Sequence, residues 1–301
     1  MTGAAKLRSL AAIGTLHAIA TGIYSLIVPL LAAGFLATVL ITLAPGFGVD
    51  ERELDNQFSA EGIAHLRSSA AQQRNVVISY FSYLRGVTHG DLGVSRTFDR
   101  PVIELLKERA GVTGANLAVG LSIGWGAGLL LASSGMLRLL SGLRLTWVTC
   151  SGAMLCIPSA LAAFGIVLIN APAGLAVAVA ICPRIFRYAD NLFRARGRRA
   201  HVLCARAKGL SDYRVLVNHI YPAALPELIA LAGVSVNIAL GAVIPVEVFC
   251  DKPGLGQLAW KAALGRDLPL LVNITLLVTA VTLVANRTSD ILIHALGRRA
   301  G

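Results

Sequence analysis

Residues 24–43, 117–137, 147–169, 228–246 and 268–286 each run without a single Asp, Glu, Lys or Arg. A sixth apolar stretch, 173–183, is shorter and reaches comparable length only by running on toward Tyr188. A helix rises about 1.5 Å per residue, so about 20 apolar residues cross the hydrocarbon core of a bilayer. Only 14% of residues are charged and 55% are hydrophobic, against about 25% charged in soluble domains. These runs are too many and too long for one water-soluble core. They predict an all-α membrane protein with about six transmembrane helices. Pro29, Pro158, Pro183 and Pro245 fall inside or at the ends of the runs, where neighbouring helices can satisfy the freed carbonyls.

The formal net charge is +11. In a soluble chain that would suggest nucleic acid, but here the bases mostly flank the apolar runs. They read as topology signals and as attraction to anionic lipid. With six spans, Lys6 and Arg8, Arg138 and Arg144, the Arg194–Arg214 cluster, and Arg298 and Arg299 share one side. That side is the cytoplasm by the excess of bases, so both termini are expected inside. Lys6 and Arg8 precede an apolar run with no clear small-residue cleavage site, so a retained anchor is expected rather than a removed leader. Residues 44–111 then form an extracytoplasmic segment. Helical spacing of apolar residues is expected in it at 73–85 and 101–109, with Pro101 in a first turn and Asp99 as a cap.

The centres of the spans carry no ionisable residue, and no G-x-x-x-x-G-K-[ST] phosphate loop occurs. A charge at mid-bilayer costs about 2.5–3.5 kcal/mol on insertion scales, and ion-coupled carriers keep such residues as relays. Uphill transport by this chain therefore needs energy from another chain. An intramembrane enzyme would need a nucleophile beside a base. Ser122, Ser151 and Ser159 are available, yet no span supplies a histidine partner. The five cysteines form no C-x-x-C pair and read as small apolar fillers. Gly120, Gly124 and Gly128 recur every four residues, which aligns them on one helix face for close helix packing.

Residues 190–222 carry the most specific signal. Residues 200–208 have the pattern of a short helix, Gly209 breaks it, and Ser211 or Asp212 can cap a second helix running to about Tyr221. Leu203, Ala207, Leu210 and Leu216 are expected to supply apolar contacts, with the bases outward. A helical hairpin this short cannot bury its apolar residues alone.

Cys204-Ala205-Arg206-Ala207-Lys208-Gly209-Leu210, followed by His219 and Pro222, resembles the EAA-type loop of binding-protein-dependent ABC permeases. The wording is nearest the B-type subunit of dipeptide and oligopeptide permeases. Other pieces agree in order. They are Leu43-Ala44-Pro45-Gly46, Gly90-Asp91-Leu92-Gly93-Val94-Ser95, Arg100-Pro101-Val102, Ile157-Pro158-Ser159, Glu247-Val248-Phe249, Pro253-Gly254-Leu255-Gly256 and Arg266-Asp267. Cys204 stands where the family usually has Thr, and Asn170 to Pro172 makes a shorter turn than relatives often have.

The resemblance implies a type I ABC importer permease fold, with 1–301 as a single transmembrane permease domain in a bacterial inner membrane. It implies that 190–222 is a cytoplasmic coupling loop. Its expected partners are a second permease subunit, two cytoplasmic ABC ATPases, an extracytoplasmic solute-binding protein and the lipid bilayer, with no nucleic acid. ATP and Mg would belong to the ATPases, with no cofactor, metal or catalytic residue in this chain. Di- and oligopeptides are the implied cargo. Nickel complexes or another small solute are the alternative.

Overall fold

A computed structural model describes residues 24–40, 42–43, 76–137 and 142–300 of the chain. Lys6, Arg8, the Pro45-Gly46 motif, the mixed-charge stretch 50–74 and Arg138 lie outside the described residues. The described chain is almost wholly helical. Its helices are α1 (Tyr24–Leu40), α2 (Val76–Thr88), α3 (Val102–Ser134), α4 (Arg144–Leu155), α5 (Ser159–Leu168), α6 (Gly174–Gly197), α7 (Ala200–Ala207), α8 (Asp212–Val215), α9 (Tyr221–Phe249), α10 (Leu255–Leu264) and α11 (Leu268–Ala300). A π-helical turn, Leu216–Ile220, joins α8 to α9 without interruption.

Among the described residues, three helical rods are long and apolar enough to cross a membrane: Val102–Ser134, Asp212–Phe249 and Leu268–Gly297. A fourth is the α4–α5 pair counted as one, although it is bent by 100°. The apolar run at 147–169 is thus not one straight span. Pro158 has no amide hydrogen and sits at φ −59°, ψ 143°, and proline also pushes the residue before it out of the helical region. The chain therefore stops at Leu155 and starts again at Ser159. The helix expected at 101–109 also differs. It belongs to α3, which runs on as one 33-residue rod. Pro101 lies just before α3 in an isolated bridge to Val94, and Asp99 adopts φ 48°.

Many large side chains on the helix surfaces are apolar and bare: Leu130, Leu161, Leu168 and Val284 are each more than half exposed. An apolar outer surface of this extent is what a lipid-facing protein presents.

The described chain divides into two compact units. One comprises residues up to Leu105 together with Ala262–Leu283, and the other comprises Leu106–Lys261 together with the chain from Val284 onward. In the first, α1, α2 and the start of α11 are pinned by polar groups. Tyr80 donates its hydroxyl to the Leu31 carbonyl at 2.7 Å and packs edge-on against Phe35. Tyr83 donates to Asn273 Oδ1 at 2.8 Å, and the Asn273 amide donates to the carbonyls of Leu92 and Pro269. Burial, and then the neighbouring Tyr80, hold the Tyr83 phenol above its ordinary value, so it remains a donor.

The second unit is built around α6, which packs on α4, α5 and α9. Gly120 and Gly128 of α3 meet Val177 and Ile185 of α6 so closely that a Cβ would lie 2.6 and 2.8 Å from those side chains. Gly124 faces Ile181 with more room, 3.3 Å. Such small residues let helix backbones approach where lipid offers no hydrophobic drive to associate. A separate apolar cluster, with Phe186, Phe193, Val202, Val215 and Ile220, ties α7, α8 and the π turn to α6.

Candidate functional site

Three constructions use the residues singled out in the sequence. The first is the hairpin α7–Gly209–α8. Gly209 has φ +81°, a left-handed backbone that side chains with a Cβ adopt at a cost. Its amide donates to Arg206 O at 2.9 Å, and the Leu210 amide donates to Ala205 O at 3.3 Å. This pair of bonds is a Schellman cap, which closes α7 and fixes the angle at which α8 departs. Ser211 occupies the N-cap position of α8 in an extended conformation, but its side chain makes no capping bond.

The buried side of the hairpin is not the one expected from spacing. Val202 and Ala205 of α7 and Leu216 are buried, whereas Leu203 and Ala207 are exposed. Leu203, Tyr213 and Val217 therefore stand bare, with Cys204, Lys208, Gly209 and Pro222 also exposed and Arg206, Leu210 and His219 half-buried. Below this hairpin Asp190, almost fully buried, accepts from Arg144 Nη2 and Arg194 Nε, each at 3.1 Å. Arg196 pairs with Glu227. A buried carboxylate is tolerable when paired this way. Spacing did not single out Asp190. The available signal was that it is the only acid among the bases from Arg184 to Arg199.

The second construction gathers Glu247, Pro253, Gly254 and Gly256. Glu247 is fully buried near the end of α9. Its Oε1 accepts from Thr113 Oγ1 at 2.8 Å and Asn116 Nδ2 at 3.2 Å. Its Oε2 accepts from the Gly256 amide at 2.7 Å, and the Leu255 amide donates to Thr113 Oγ1 at 2.7 Å. The two amides open α10, so a carboxylate from α9 caps the positive end of that helix. Only glycine fits beside it: a Cβ on Gly254 would fall 2.2 Å from Glu247 Oε2, and one on Gly256 would fall 2.7 Å from Ile244 Cα. The spacing from Glu247 to Gly256 thus makes a cradle for one carboxyl side chain. Thr113 and Asn116, which complete it, carried no sequence signal.

The third joins Gly90, Asp91, Gly93, Ser95 and Asp267. Gly90, at φ +80°, ends α2 with the same two-bond cap, since Gly90 and Asp91 donate to Val87 O and Gly86 O. Asp91 Oδ1 accepts the Gly93 amide at 2.8 Å and turns the chain again. Ser95 then donates to Asp267 Oδ2, which also takes the Thr97 amide at 3.0 Å. Asp267 Oδ1 accepts the Leu270 amide at 3.2 Å, which is an N-cap for α11. Two motifs 172 residues apart meet at one carboxylate.

No group of three or more His, Cys, Asp or Glu able to hold a metal ion occurs among the described residues. Carboxylates, hydroxyls and helix ends are committed to holding helices together, and the bare surface of the second unit includes a basic hairpin with exposed apolar residues.

Known proteins are similar to this chain in sequence. A peptide permease of Brucella ovis, provisionally so named, is 27% identical over 293 residues, covering 87% of this chain and 92% of its own. The oligopeptide transport system permease protein OppB of Escherichia coli K12 is 29% identical over 277 residues, covering 84% and 89%. OppB of Haemophilus influenzae is 29% identical over 278 residues. The profile of the binding-protein-dependent transport system inner membrane components matches residues 122–301, which include the basic hairpin and, of the cradle, Glu247 and the Pro253–Gly256 turn but not Thr113 or Asn116. The chain therefore belongs to the inner membrane components of binding-protein-dependent transport systems, membrane subunits with the type I ABC importer permease fold.

Proposed function

We propose that this chain is a permease subunit of an ATP-driven importer of di- and oligopeptides in a bacterial inner membrane. It crosses the bilayer six times with both termini in the cytoplasm. It pairs with a second permease to enclose the path, and an extracytoplasmic binding protein delivers the cargo. Two cytoplasmic ABC ATPases bind ATP and Mg and supply the work. Peptide is the cargo because the relatives named above are named for peptide transport.

The observation that carries the reading is the bare face of the α7–Gly209–α8 hairpin. Leu203, Tyr213 and Val217 are exposed beside Lys208 and Arg214, while Val202, Val215 and Ile220 root the same hairpin in the α6 core. Apolar side chains ringed by bases are the chemistry of a protein contact. A rigidly rooted hairpin passes a push into the helices behind it, as rigid-body switching requires. An ATPase groove that receives Cys204 to Leu210 would move α6 and α9 when ATP closes the ATPase pair.

Charge reversal at Arg206 and Lys208 together, or Gly209→Val, should leave the chain in the membrane and abolish peptide uptake. ATP hydrolysis by the assembled transporter should then no longer respond to loaded binding protein. Normal uptake by these variants in intact cells would overturn the reading.

A further inference from the structure

We propose that a cavity beside the α4–α5 break is a carboxylate-recognition site on the solute path, with Arg184 as its anion-binding residue and the free C-terminus of a peptide as its ligand. The inference rests on the transport reading above and refines it.

The cavity, of about 370 Å³, is lined by the break itself, Met154 to Ser159, by Ala180 and Arg184 of α6, and by Ile238, Gly241 and Ala242 of α9. Its volume lies at the low end of small-ligand sites, about 300–1,000 Å³, and suits one or two residues of an extended peptide. Apolar side chains and polar surface line it together, and Arg184 is the one lining side chain with a fixed charge.

The bases of α6 differ in what they face. Arg194 is paired with Asp190, and Arg196 is paired with Glu227. Arg184 is exposed, and among the described residues no carboxylate lies within ion-pair distance of it. One Nη of Arg184 donates to the Ala180 carbonyl of its own helix, which steadies the side chain and leaves other guanidinium hydrogens free. A guanidinium with free hydrogens can hold a carboxylate bidentately, which fixes both its position and its orientation. The break adds to this, because the first turn of α5 opens at the cavity, where Ser159 lines it and Pro158 offers no side-chain cap.

The test is uptake of trialanine and of trialanine amide by cells carrying the complete transporter, with membrane amounts of the chain matched by immunoblot. The binding protein is the same in every strain, so the change in the acid-to-amide ratio between strains is the readout. Arg184→Gln should lower uptake of the free acid about tenfold, the order expected for a lost charge-assisted hydrogen bond, and leave the amide unchanged. Arg184→Lys should retain part of the preference. Arg187→Gln, which removes a base outside the cavity, should keep the wild-type ratio. An unchanged ratio in Arg184→Gln, or equal loss of both peptides, overturns the proposal, the second result pointing to a lipid headgroup or a structural role. If Arg184→Gln does not accumulate, the ratio in Arg184→Lys decides, and a wild-type ratio there counts against the site. Peptide uptake that persists when this chain is deleted would instead overturn the transport reading and take the site with it.

Discussion

Glu247 places a carboxyl group in a fully buried position with no base within ion-pair distance among the described residues. Its oxygens are met by three donors: one hydroxyl, one side-chain amide and one backbone amide. Thr113 matters twice, since it donates to Glu247 and accepts from Leu255. Thr113→Val keeps the shape, removes both bonds and strands a buried donor and part of a buried carboxylate. That should cost about 1–3 kcal/mol, seen as a lower midpoint of thermal unfolding in detergent, while Thr113→Ser should retain most of the stability. A Val variant as stable as the parent would mean that the cradle contributes little.

Among the elements, the α3–α6 contact makes a graded prediction. A methyl added at Gly120 would strike Val177 at 2.6 Å, whereas one added at Gly124 meets Ile181 at 3.3 Å. Gly120→Ala should therefore destabilise by about 1–3 kcal/mol through overpacking. Gly124→Ala should be nearly neutral, or slightly stabilising through helix propensity. The unfolding midpoints of the two variants check this, and equal effects would contradict the close approach.

The glycine repeat was readable beforehand because its period is a property of one helix. The 100° break was not. Pro158 was visible, but a proline inside an apolar run is compatible with either a kinked span or a broken one. The burial of Val202 and Ala205 instead of Leu203 and Ala207 was also missed. On so short a helix, tertiary packing on α6 decides which side turns inward.

At the scale of the molecule, hydropathy alone led to a multi-helix membrane protein, because the cost of charge in lipid is paid segment by segment. The motif clusters were visible as separate words, but their joining was not, since Glu247 and Asp267 find partners 134 and 172 residues away. Local spacing carries no information about such pairs. The whole-molecule expectation is that the purified chain, reconstituted alone into vesicles, accumulates no peptide with ATP or with a proton gradient. Accumulation by the lone chain would refute its dependence on an ATPase.

The unbroken course from Asp212 to Phe249 has a mechanical corollary. Its 38 residues make a strut roughly 57 Å long at about 1.5 Å per residue. One end adjoins the Gly209 bend, and Glu247 sits at the other. Were the strut to pivot at its base by about ten degrees, its tip would sweep roughly 10 Å. The opening turn of α10, gripped by Glu247, would be carried along. A nudge on one side of the membrane would thus be geared up into a displacement the size of an amino-acid side chain on the other.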